Sequence, residues 1–195
     1  HELKSGKKHL CWSNQLYAME DCPFPTGEDS LVICYSAPAE MSSFYALEWQ
    51  EPVWLLDLYC EQRVLENGRL YRKNKDHKPF SMVETLKHYG LASIEANEKK
   101  SNQNLAQRGW PFSPTEKKLL LDYVESDVDS LDRLLPVMVP LIDNFKEALF
   151  RGAFQKAISR SERHGIPINP RWKILKEKWP SILKALIKSV DVQYG

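Results

Sequence analysis

No C-x-x-C pair occurs in this chain. Its four cysteines, Cys11, Cys22, Cys34 and Cys60, stand apart, and no histidine lies at zinc-site spacing from them. A zinc-finger arrangement is excluded, and free thiols in a reducing compartment are expected. The histidines (His1, His9, His77, His88, His164) form no ligand cluster either. No apolar run approaches the length of a membrane span; Leu134 to Ile142 is interrupted by Pro136 and Pro140. A secretory leader pattern is missing, so a cytoplasmic setting is expected. The first residue is His rather than Met, which fits a piece of a longer protein. Repeats and low-complexity segments are absent. So is a charge bias: 27 basic and 26 acidic side chains leave a net charge of +1. That balance neither announces nor excludes nucleic-acid binding. An enzyme acting on a phosphodiester needs acids around a metal and bases elsewhere, and the sum can be near zero.

What is present is an ordinary globular composition, 43% hydrophobic and 27% charged, over 195 residues. That length holds one full domain and part of another. Local basic clusters occur at Lys4, Lys7 and Lys8, at Arg72 to Lys78, at Arg160 and Arg163, and at Arg171 to Lys178. Each reads first as a solvated face.

Ser5-Gly6 signals a turn, with His9 to Trp12 as a strand after it. Leu31-Val-Ile-Cys-Tyr35 is a short apolar run that fits a fully buried strand. A helix from Ser36 to about Leu47 follows, with Pro38 in its first turn. Val53-Trp-Leu-Leu-Asp57 reads as a second buried strand, leading into a helix through about Val64. Residues 66 to 80 read as a loop. Ser81 caps a helix that Gly90 ends. A polar helix spans about Ala96 to Arg108. Ser113-Pro-Thr-Glu116 is a helix start, and Leu119, Leu120, Tyr123 and Val124 give that helix an apolar stripe. A further helix, kinked or broken at its prolines, runs from Asp127 to about Ile142. A boundary is expected near 143 to 150. A long helix to His164, a turn and strand at Gly165 to Asn169, and a basic helix from Pro170 complete the chain. The fold class is α/β followed by a helical piece.

The segment of chemical interest is Tyr123-Val-Glu-Ser-Asp127. Residues four apart on a helix share a face, so a phenol and a carboxylate point together. A carboxylate can hold a divalent metal, and a phenol beside it can orient a water.

Trp110-Pro followed by a helix ending in Tyr123-x-x-x-Asp127-Val128 is similar to the third motif of the tyrosine-bearing DEDD 3′–5′ exonucleases. That superfamily has a ribonuclease-H-like fold and includes ribonuclease D and the proofreading domain of family A DNA polymerases. The order strand, turn, acid on a helix, strand ending in Asp is matched by Leu31 to Glu40 and Val53 to Asp57. Glu40 stands where the second motif has its acid, although Asp, commonly preceded by Asn, is usual there. Ala153 to Pro170 resembles the opening of the polymerase module of family A enzymes. The likeness is greatest to the DNA polymerase I-like proteins of phages and mobile elements. The first motif, Asp-x-Glu on the first strand of the sheet, has no counterpart before residue 30.

The resemblance implies residues 1–145 as a 3′–5′ exonuclease-like domain lacking its first strand, and 146–195 as the beginning of a polymerase thumb. In that family two divalent cations about 4 Å apart, Mg²⁺ or Mn²⁺, clamp the scissile phosphate. Carried over here, Asp127 and Glu40 are metal ligands and Tyr123 positions water. Asp57 is a further metal candidate, weighed against a structural role at the end of its strand. Glu125, Asp129 and Asp132 read as solvated. Without the two leading carboxylates the residues present are expected to bind metal poorly and to cleave little. The implied partner is DNA, as a single-stranded 3′ end or a primer-template, together with the rest of a polymerase chain. Two alternatives stay open: a non-catalytic module that binds DNA or supports the polymerase, and a ribonuclease D-like RNA exonuclease. Trp110, Phe112, Tyr45 and Trp49 are candidates to stack on an unpaired base. Trp49 and Trp54 are expected in the core.

Overall fold

A computed structural model describes residues 1–67, 80–91 and 96–194. The expected loop at 66 to 80 and the basic cluster from Arg72 to Lys78 therefore lie mostly or wholly outside the described residues. The fold is α/β and mostly helical. Two strands, β1 (Leu31–Cys34) and β2 (Trp54–Asp57), pair in parallel through α2 (Ala37–Ala46). A short α1 (Ser13–Leu16) precedes them. After β2 come α3 (Leu58–Leu65), α4 (Met82–His88), α5 (Ala96–Arg108), α6 (Pro114–Met138), α7 (Phe145–His164) and α8 (Arg171–Tyr194).

The strand register places Val32 beside Leu55 and Ile33 beside Leu56. Successive strand residues face opposite sides, and the two cores follow that alternation. Cys34 and Leu55 pack with Ala37, Met41, Phe44 and Trp49 on one side, where Val32 joins them. On the other, Leu56 packs with Leu58, Leu86, Leu134, Met138 and Ala148, and Ile33 joins these. The small parallel sheet is thus covered on both faces, as parallel strands require. Full burial holds only in part, since Leu31 and Trp54 at the strand starts stay exposed. Trp54 is not a core residue: its indole N–H donates to the Glu28 carbonyl at 3.0 Å on the surface. Trp49 is buried as expected.

The capping chemistry read from sequence is realised. Ser81 Oγ accepts from the Glu84 N–H, and Ser113 and Glu116 form a reciprocal capping box at the start of α6. Two expected helices between residues 114 and 142 are instead one 25-residue helix, followed by a single 3₁₀ turn at Val139–Leu141. Pro136 falls in the last turn of α6, where it forfeits one helical bond, to the Asp132 carbonyl, and the helix ends two residues later. His9 to Trp12 forms no strand, because no neighbouring strand offers it a ladder, and Gly165 to Asn169 is likewise irregular.

The chain divides into two compact units, His1–Arg163 and His164–Gly195. In the first, α7 is pinned to the sheet layer. Arg151 makes a bidentate pair with the buried Glu61 carboxylate at 2.8 and 2.6 Å. In the second, α8 carries apolar and basic side chains with large exposed areas.

Candidate active site

Asp57 ends β2, and its carboxylate organises the turn after β1. One oxygen accepts from the Ser36 N–H at 2.9 Å, the Tyr59 N–H at 3.0 Å and the Cys60 N–H at 3.4 Å. The other accepts from the Ala37 N–H at 3.0 Å. Both α2 and α3 therefore begin on the same buried carboxylate, which neutralises the positive ends of two helices. Ser36 holds a left-handed backbone (φ 81°) between the strand and α2. Such a conformation is costly for a residue with a Cβ, and the Asp57 bonds to Ser36 and Ala37 hold it in place. Three amides converge on Oδ1 and one on Oδ2, so Oδ2 keeps a lone pair. This geometry gives Asp57 a structural role, and the remaining Oδ2 lone pair leaves it a donor for a metal as well.

Glu40 lies in the first turn of α2. One of its carboxylate oxygens, Oε2, is buried and has no hydrogen-bond partner among the described residues. Burial pushes the Glu40 carboxyl up to about 7; the charges of Asp57 and Asp127 push the same way, while the backbone amides of Glu40 and Tyr35 oppose the rise. Glu40 and Asp127 are thus close enough to feel each other, although they come from different helices.

On α6, Tyr123 and Asp127 share a face as the four-residue spacing requires, and the Tyr123 hydroxyl is bonded to the Asp127 carboxylate. Partial burial, then the Asp127 charge, then that bond raise the phenol above its usual value, so it stays protonated at neutral pH. Gln103 of α5 also bonds to the phenol and opposes the rise. Beneath the acids, the Cys34 thiol is pushed up by burial first and then by Asp57 and Glu40, which keeps it protonated and inert.

Glu40 thus lies within electrostatic range of Asp57 and Asp127, Tyr123 is bonded to Asp127, and Asp57 caps two helices. Glu125 and Asp129 pair with Lys8 at 2.8 and 3.1 Å, and Asp132 pairs with His1, so that side of α6 is covered by the N-terminal segment. Gln103 and Cys34 had no signal of their own in the sequence. The hairpin of α5 and α6, joined at Gly109 to Ser113, is what carries Gln103 to Tyr123, and only the pairing of two predicted helices could have exposed it.

Among the described residues no three His, Cys, Asp or Glu side chains are grouped as a ready metal site. The orphaned Glu40 oxygen is nevertheless the kind of buried hard donor that a divalent cation takes. Glu40 and Asp127 fit that role in chemistry. No described helix is long and apolar enough to cross a membrane. Comparisons with protein-family models, with curated proteins and with solved structures found no match.

Proposed function

We propose that this chain is a 3′–5′ exonuclease segment of a DNA polymerase, with residues 1–145 from a ribonuclease-H-like exonuclease domain and 146–195 opening a polymerase module. The observation that supports it best is the buried, unpartnered Glu40 oxygen sharing an acidic focus with Asp127, beside a phenol bonded to Asp127. Glu40 and Asp127 would hold Mg²⁺ or Mn²⁺. When bound, such ions polarise a phosphate and favour ionisation of a water. Tyr123, whose hydroxyl proton is donated to Asp127, would orient such a water by accepting a hydrogen bond from it. Asp57 acts by holding the Ser36 turn, from which α2 presents Glu40. Two carboxylates are a thin ligand set, so hydrolysis needs further acids, which an Asp-x-Glu strand preceding this segment would supply. The substrate is the unpaired 3′ end of DNA, and proofreading during replication is the role. Four free thiols fit a reducing, cytoplasmic setting.

The test is Mg²⁺-dependent release of nucleotides from a mismatched 3′ end by a protein extended upstream through Asp-x-Glu. Asp127→Ala should abolish release while DNA binding persists, and Tyr123→Phe should slow it by roughly 100-fold. An extended protein that carries Asp-x-Glu and releases nothing would sink the catalytic reading. That result would leave a second one, a non-catalytic exonuclease-fold module. The four backbone amides on Asp57 and the Tyr123 bond to Asp127, which occupy acids a metal would use, favour it.

A further inference from the structure

We propose that Trp110, Phe112 and Lys117, together with Trp12 and Arg108, form a platform that holds unpaired DNA by stacking its bases and neutralising a phosphate. The proposal rests on the nucleic-acid reading above and adds a place for the strand outside the acidic focus. The Lys117 ammonium stands 4.9 Å from the centre of the Trp110 ring and 5.6 Å from that of Trp12. Trp12 meets Phe112 edge-on at 5.8 Å, and Trp110 lies 6.0 Å from Phe112. The Arg108 guanidinium sits 5.3 Å from the Phe112 ring. Trp12 is half-buried, but a cluster that served only packing would hide both its indoles, and Trp110 is 64% exposed.

Charge separates this patch from an ordinary apolar surface. Glu116 is paired with Arg108 and Lys118 with Asp122. Lys117 makes no ion pair among the described residues, only its two ring contacts. A solvent-facing aromatic ring beside an unneutralised ammonium suits a ligand that is flat, aromatic and anionic. A strand of unpaired nucleotides is that ligand, because stacking needs no sequence and the backbone supplies the charge.

Position connects the patch to the candidate site. Glu116, which carries Arg108, lies on the same helical stripe as Leu120, Tyr123 and Asp127. Lys117 precedes Tyr123 by six residues, about 9 Å along the helix axis and about 120° around it. A strand with its inner bases on Trp110 would have to cross around the amino-terminal half of α6 to bring its 3′ end to Tyr123 and Asp127.

The experiment is fluorescence anisotropy of a labelled oligodeoxythymidylate titrated with this chain in EDTA, where no hydrolysis competes. Trp110→Ala should weaken binding by roughly 10-fold or more, and Trp110→Phe should recover most of the loss. Lys117→Gln should weaken binding and flatten the salt dependence by about 0.7 in log–log slope. Undiminished affinity in a folded Trp110→Ala protein, judged by an unchanged circular dichroism spectrum, overturns the platform, as does no binding by the unaltered chain. The nuclease assay on the extended protein reads the two ideas apart. Normal binding by Trp110→Ala alongside Mg²⁺-dependent hydrolysis removes the platform alone. Weakened binding without any hydrolysis keeps the platform and removes the nuclease.

Discussion

Glu40 stores a testable electrostatic cost. Its carboxyl is held up to about 7 in the folded chain, against an ordinary value of 4.5. Between those values the folded chain keeps a proton that the unfolded chain has released. The stabilisation from this group is therefore fully present below about 4.5 and is lost as pH rises towards about 7. The loss amounts to at most roughly 3 kcal/mol. In metal-free buffer the urea midpoint should fall between about pH 5 and about pH 7.5, and Glu40→Gln should remove that part of the slope. Identical pH profiles for the two proteins would show that Glu40 titrates as an ordinary surface acid. Residue spacing made Tyr123 and Asp127 legible beforehand, since a helix places i and i+4 together whatever surrounds it. The commitment of Asp57 to four amides was only half legible. The sequence marks it as an end-of-strand acid, but its bonds to Ser36 and Ala37 cross 20 residues or more.

At the scale of elements, the contact between α7 and β2 is closer than any side-chain pattern reveals. A Cβ built on Gly152 would stand 1.9 Å from the Leu55 carbonyl oxygen. The helix backbone rides on the strand backbone there, and neither can yield like the end of a flexible side chain. Gly152→Ala should cost ~3 kcal/mol or more despite its better helix propensity, read as a lowered urea midpoint at unchanged slope. An unchanged or raised midpoint would mean that α7 does not lie against Leu55. Most helix starts were readable because caps are local: Ser81, Ser113 and Asp57 each satisfy amides within three residues. The strand expected at His9 to Trp12 fails for the opposite reason. A strand exists only by pairing, and alternation in one segment does not say whether a partner is beside it.

For the whole molecule, the decisive feature is the break between the compact units at Arg163 and His164. The segment from residue 161 to 170 is exposed throughout, and Gly165 takes a positive φ of 73° just past the end of α7. Brief trypsin treatment should cut between Arg160 and Arg171 and release a piece carrying α8, detected by intact mass. Survival of that segment under conditions that degrade the rest would show the two units to be one. Composition and periodicity by themselves determined that this is a globular α/β chain, where most of its helices start, and that a phenol and an acid share one face of α6. Those properties depend on neighbours within a turn or two. The tertiary structure alone decided that Glu40 meets the charge of Asp127, that Asp57 ties the start of α2 to that of α3, and that Trp12 joins Trp110 around Lys117. Each of these joins residues distant along the chain, and such contacts follow from how the layers pack rather than from any local repeat.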